Sequence, residues 1–355
     1  MRSIRHYAYC AALMATFVID NPHCGQYDVN RTQLAATYLE SGRYGQALKE
    51  LRRALREDSD NTTLYLFTAL AHMSKGDDTL ALKALIDALS IDPTHADLHN
   101  ALRDLSRETQ RYLEVQSQLE ELLIEHPQNA PLLSTLAWTQ ARQGNDDRAI
   151  ALFDSATALD PQLLFARLEL SRILLEQENY ARAESELQAA LLIEPTDPQL
   201  LIALGECQLH QGRTSIADST FQRALGNRAA TDNGAMAARV AQLYYGHDLQ
   251  QKTIEYYERA LVRNPDNAFV LNNLAWTYAE EGMLLNRATK LSLRSIKIDG
   301  ANPVYLDTFA ELLYMQGEYH HAFAAIRRAL ELETAEGSNW PYLQEQHEKM
   351  RRSLL

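Results

Sequence analysis

Apolar residues recur along this chain at the three-to-four-residue spacing of amphipathic helices, and the helices recur on a longer beat. Pro93, Pro127, Pro161 and Pro195 follow one another at intervals of 34 residues. Each closes a similar phrase: ALSIDP, LLIEHP, ATALDP and LLIEP. Pro265, ending ALVRNP, comes 70 residues later, two periods plus two. Proline just past a helix stops it, because it lacks an N–H and its ring clashes with the preceding turn. Small residues keep the same register when these prolines are placed at position 32 of a repeat. Position 8 carries Ala35, Ala69, Arg103, Ala137, Ser171, Gly205, Ala241, Ala275 and Ala310, position 20 carries Ala47, Ala81, Val115, Ala149, Ala183, Ala217, Thr253, Ala288 and Ala322, and position 27 is again mostly alanine. Position 24 is large and apolar: Leu51, Leu85, Leu119, Phe153, Leu187, Phe221, Tyr257 and Ile326, with Ser292 the exception.

Two helices approach within about 8–10 Å only where their facing side chains are small. Alanine at positions 8 and 20 therefore predicts a close pair within each repeat. Alanine at 27 predicts close contact with the next repeat, and position 24 fills the space between. Gly42, Gly76, Gly144, Gly212, Gly282 and Gly317 fall near position 15, where the first helix must end and reverse. A pair of this kind cannot bury its apolar face alone, so neighbouring pairs stack.

The pattern resembles the tetratricopeptide repeat (TPR) family of bacterial type. YLDTFAELLYMQGEYHHAFAAIRRALELE, from Tyr305, is the strongest single unit. The resemblance covers about residues 28–332 and implies an all-α, right-handed superhelical solenoid of about nine helix-turn-helix repeats, starting near residues 28, 62, 96, 130, 164, 198, 234, 268 and 303. Two small insertions fit this register, near Asn227–Gly234 and Leu284–Asn286. Repeat 3 departs most, with Arg103, Val115 and Leu122 where small residues are expected, which predicts looser packing there. Residues 333–355 read as a C-terminal capping helix, with Pro341 in its first turn and Trp340, Leu343, His347, Met350 and Leu354 along one face.

Composition narrows the function. The formal net charge is −13, which disfavours phosphate backbones and hence nucleic-acid binding. Residues 1–27 differ from the rest: Arg2 and Arg5 precede an apolar run from Tyr7 to Ile19. This matches the first two parts of an export signal or an uncleaved anchor, without the small-residue cleavage site. Export to the periplasm or anchoring in the inner membrane is favoured, and any membrane association is expected through this segment only. A cytoplasmic protein with an extra apolar helix is the alternative, followed by a mis-assigned start.

No phosphate loop, dinucleotide fingerprint, zinc-protease or nucleophile-elbow motif is present. His95 and His99 are four apart but lack further ligands of clear placement, and nothing beside Cys207 would lower its pKa. The chain is expected to be non-catalytic, with no cofactor and no metal.

In the TPR family the first helices of successive repeats line a concave face, through positions 2, 5, 9 and 12. Those positions name Trp138, Arg172, Tyr245, Asn272, Trp276 and Tyr314 as candidate groove residues, with Asp307 and Glu311 beside them in repeat 9. Trp138 and Trp276 share position 9; each either packs on a neighbouring repeat or anchors a ligand. Asn272, one turn before Trp276, either pairs with a ligand's backbone or bonds a neighbouring helix. The groove lacks the lysines by which one subset of the family grips a peptide carboxylate. The resemblance implies an interaction scaffold that holds a peptide or helical segment of another protein, with cell-envelope assembly or export as the expected setting. The competing reading is the accessory subunit of an enzyme complex, with catalysis supplied in trans. The amino-terminal expectation is direct to check: residues 1–30 fused to a reporter active only after export should give signal, and a silent fusion removes the export reading.

Overall fold

In a computed structural model of the chain, the described residues are 31–226, 234–333 and 339–354. The expected export or anchor segment at 1–27 lies outside them, as does most of the insertion before repeat 7. The described residues form nineteen helices and no strand. None of those helices is long and apolar enough to cross a membrane.

The chain divides into two compact units between Pro195 and Thr196. The first holds five helix pairs: α1 (Arg31–Glu40) with α2 (Tyr44–Glu57), α3 (Thr62–Lys75) with α4 (Asp78–Ile91), α5 (Ala96–Thr109) with α6 (Tyr112–Glu125), α7 (Ala130–Arg142) with α8 (Asp146–Leu159), and α9 (Leu164–Glu176) with α10 (Tyr180–Ile193). The second holds four pairs and a closing helix: α11 (Pro198–His210) with α12 (Thr214–Gly226), α13 (Ala235–Tyr245) with α14 (Gln250–Arg263), α15 (Ala268–Glu280) with α16 (Leu285–Ile298), α17 (Pro303–Met315) with α18 (Tyr319–Leu332), then α19 (Trp340–Arg352).

Local chemistry sets the helix ends. Asn61, Asn129, Asp197, Asn267 and Asn302 each accept a backbone N–H from the first turn of α3, α7, α11, α15 and α17. Such caps contribute about 1 kcal/mol each. The turn between paired helices needs a left-handed residue, and glycine supplies it in six of the nine repeats, at Gly42, Gly76, Gly144, Gly212, Gly282 and Gly317. Repeats 3, 5 and 7 place Gln110, Glu178 and Asp248 there instead, at φ 55–58°.

The alanines at positions 8 and 20 are fully buried, and so are Leu51, Leu85, Leu119, Phe153 and Phe221 at position 24. Each enclosed large side chain is worth about 1.5–3 kcal/mol of burial. Within repeats the paired helices lie in close contact, repeat 3 excepted: α5 and α6 approach one another least of any pair. Arg103 replaces alanine in α5 and cannot be enclosed between two backbones. Its guanidinium instead donates to Thr135 Oγ1 at 3.0 Å and lies 3.7 Å from the centre of the Phe165 ring. The loosening expected of repeat 3 is therefore present, and α6 packs against α7 rather than its own partner.

Gly205 shows how tight the regular contact is. A Cβ there would sit 2.3 Å from Phe221 Cε1, because the ring fills the space that alanine occupies in other repeats. Phe221 is in turn held edge-on by Tyr244, with ring centres 5.5 Å apart. Gly205→Ala should lower stability by about 1–3 kcal/mol. Combining it with Phe221→Leu should cost less than the sum of the two single changes, measured by chemical denaturation.

Candidate partner groove in the second unit

The first helices α13, α15 and α17 present successive turns to a common hollow, and α19 closes one side of it. Asn272, Asn273, Trp276 and Thr277 come from one face of α15, and Val304, Asp307 and Thr308 from the corresponding face of α17. Gln242, Tyr245 and Gly246 come from the end of α13, Tyr257 from α14 and Tyr342 from α19. Together they enclose a cavity of about 520 Å³, a size that suits a small ligand or a segment of a few residues.

Hydrogen bonds orient the aromatic wall. Trp276 Nε1 donates to Tyr245 Oη at 3.1 Å, and that hydroxyl donates to Glu280 Oε1 at 3.0 Å. The indole N–H is thereby tethered to α13, and Trp276 is half-buried. Asn272 is 2% exposed and Asp307 8% exposed, yet Asn272 Oδ1 and Asp307 Oδ1 have no hydrogen-bond partner. Both sit at position 5 of their repeats, one repeat apart. Burial pushes the Asp307 carboxyl up to about 6, against a hydrogen bond from Tyr342 and the attraction of Lys349. Glu311 adds to the upward push, while its own charge is met by Lys349 Nζ at 2.8 Å. Tyr342 in turn is pushed up to about 12, first by burial and then by Asp307. The lining carries carboxylate, amide, hydroxyl and aromatic groups and no basic side chain.

Three of the six candidate residues, Tyr245, Asn272 and Trp276, thus line one cavity. The other three lie elsewhere. Trp138 is 1% exposed, so it presents no surface to a ligand. It packs edge-on to Tyr112 at 5.9 Å, with the guanidinium groups of Arg142 and Arg107 5.4 and 5.8 Å from its ring. The sparse α5–α6 contact leaves room that this indole fills, so Trp138 is a packing residue. Arg172, in the first unit, is held by Glu169 and Glu176 on its own helix, at 3.0 and 2.7 Å. Tyr314 is covered by α19: its hydroxyl meets Ser353 Oγ at 3.0 Å, and Lys349 Nζ lies 4.7 Å from its ring centre.

Tyr257 and Tyr342 were not anticipated as lining residues. Tyr257 occupies position 24 and is itself 2% exposed, yet it lines the cavity. Tyr342 lies beside the apolar face of α19, whose Leu343 and Met350 are buried as the periodicity indicates. Asp307 was visible as a position-5 residue, but its burial was not.

His99 is also settled by geometry. Nε2 meets the Pro93 carbonyl and Nδ1 meets Thr135 Oγ1, both at 2.9 Å, and burial lowers its pKa to about 4. Among the described residues no group of three or more metal-ligating side chains comes together.

Tetratricopeptide repeat profiles match residues 32–96, 107–170, 174–243 and 256–288, more than half of the chain. With the paired-helix architecture, this places the chain in the tetratricopeptide repeat family, whose members generally serve as protein-interaction scaffolds. A TPR repeat-containing protein of Pseudomonas aeruginosa is 26% identical over 189 residues, 50% of this chain and 31% of that protein. Anaphase-promoting complex subunit 6 of Arabidopsis thaliana is 25% identical over 145 residues, 40% of this chain and 27% of that protein. The chain therefore spans about a third or less of the curated relatives it matches. Among solved structures, the C-terminal part of a TPR repeat-containing protein from Cytophaga hutchinsonii is 15% identical at a TM-score of 0.49, covering 78% of this chain and 98% of that one.

The raised Asp307 pKa makes a stability prediction. The folded state binds its proton more tightly than the unfolded state, so stability falls as pH rises from about 4 through about 6 and is level above that. Asp307→Asn removes this cost while keeping the shape. It should raise stability at pH 7–8 by at most about 3 kcal/mol, with the gain vanishing below pH 4. Denaturation curves of both proteins at pH 4 and pH 7.5 provide the check.

Proposed function

We propose that this chain is a non-catalytic adaptor that holds an extended or helical segment of a partner protein in the α13–α15–α17 groove. The observation that carries the reading is the pairing of a half-buried, tethered Trp276 with a buried Asn272 oxygen that has no partner inside the protein. Aromatic anchors dominate interface energetics. A buried amide left unsatisfied is costly unless something arrives to satisfy it. An extended segment offers backbone N–H groups at the spacing that such an amide can meet, and a helical one offers side-chain donors at its ends. The amino-terminal pattern extends the proposal to a site of action at the cell envelope.

The test is affinity purification from the native organism with the full chain and two variants, alongside melting measurements. Trp276→Ala and Asn272→Ala should each reduce capture of bound proteins about tenfold or more, while shifting Tm by no more than about 3 °C. Capture that is unchanged by both variants overturns the groove assignment. A sharp fall in Tm would instead make the two residues core. Recovery of several structural proteins supports a scaffold, whereas one enzyme in fixed ratio supports an accessory subunit.

A further inference from the structure

The groove reading says that a partner segment binds; the chemistry of the lining says what that segment must bring. Asn272 Oδ1 and Asp307 Oδ1 are acceptors, each on a side chain more than nine-tenths buried, and neither has a donor within the protein. The two residues stand on successive first helices, α15 and α17, and both line the same cavity. An ionised carboxylate accepts and never donates, so only a donor-bearing ligand completes Asp307. Burying its charge without a counterion is expensive. Tyr342 hydrogen-bonds to the carboxylate but brings no positive charge. Lys349, the cation acting on Asp307, is itself committed to both oxygens of Glu311 at 2.8 Å. No basic side chain lines the cavity, and the chain as a whole carries −13. The missing element is therefore a cation.

The walls select among cations. Trp276, Tyr245 and Tyr342 offer aromatic surface beside the two acceptors. A guanidinium stacks on such surface and directs five N–H donors in its own plane, enough to reach acceptors on two different helices. An ammonium is a compact, strongly hydrated charge with no plane to stack. Neutral hydroxyl ligands satisfy acceptors but leave the Asp307 charge uncompensated.

We propose that the cavity is a receptor for an arginine side chain carried by the partner segment, with Asp307 and Asn272 accepting its N–H groups and Trp276 forming the stacking wall. This rests on the groove reading and adds the identity of the anchoring residue. Fixing the arginine fixes the register of the segment along the first helices.

The probe is Nα-acetyl-arginine N-methylamide, titrated into the full chain up to about 20 mM, a range suited to millimolar binding. The indole N–H resonance of Trp276, identified by its loss in Trp276→Phe, reports occupancy. The controls are the citrulline and lysine analogues, which replace the guanidinium by a neutral urea and by an ammonium, and a neutral disaccharide. Arginine should give a saturable shift, with citrulline at least about tenfold weaker and lysine between them. Asp307→Asn should erase the preference for arginine over citrulline, and Asn272→Ala should weaken arginine binding while keeping that preference. Equal binding of arginine and citrulline, a preference that survives Asp307→Asn, no arginine shift, or a shift with the disaccharide alone each overturns the proposal. The partner-capture experiment separates this from the broader reading. Capture lost in Trp276→Ala but kept in Asp307→Asn leaves the groove standing and removes the arginine.

Discussion

In most repeats the two helices touch through small residues, chiefly alanine, at positions 8 and 20, and the rest of each unit follows from that contact. In repeat 3, where Arg103 and Val115 take those places, the two helices draw apart, whereas repeats 5 and 7 still close over the small buried Ser171 and Thr253. Gly205 marks the limit from the other side: where Phe221 takes the larger share of the space, even a methyl is too much. Caps and left-handed turns set where helices start and stop, but they do not bring them together. Caps contribute about 1 kcal/mol each, whereas each enclosed position-24 side chain contributes two or three times that.

Positions 8, 20, 24 and 27 bring the helices together, so the inward positions of the first helices are freer: Leu66, Leu70 and Ile202 are buried there, while Trp276 is only half-buried. They can hold residues that a core would reject. The two tryptophans at position 9 show what decides their fate. Beside Trp276 the helix pairs are regular, so the indole has no core to enter and stays on the cavity wall, tethered by Tyr245. Beside Trp138 the preceding repeat is irregular, since Arg103 stands where alanine would draw α5 and α6 together, and the indole is absorbed as filling. The same residue at the same position becomes a wall or a core according to the spacing of its neighbours.

That contrast measures what was legible in the sequence. The helix pairs and the weakness of repeat 3 could be read from residue size at fixed spacing, because close contact depends on size alone. Tyr245, Asn272 and Trp276 could be placed on the inward face for the same reason. Burial at inward positions could not be read, because it depends on the next repeat and on α19. Nothing in the local pattern of Tyr314 says that Lys349 and Ser353 will cover it. Nor does Tyr342 announce, from the edge of an ordinary amphipathic helix, that it meets Asp307. The division between Pro195 and Thr196 is equally silent, for Pro195 falls on the same 34-residue beat as the prolines before it.

Asp307 is the point at which stability and function part. A position-5 aspartate in a first helix would be harmless if exposed, since its charge would be solvated. The closing helix covers it, and the carboxyl is held at about 6 rather than its ordinary value. Most of that shift is desolvation, which a neutral residue of the same shape would not suffer. The second unit therefore carries a cost that its fold does not require, one repeat away from a buried amide in the same condition. Costs of this kind collect where a ligand relieves them. Two such groups on one cavity, beside an indole that the regular packing leaves only half-buried, make the α15–α17 face the part of the molecule whose energetics are completed only from outside.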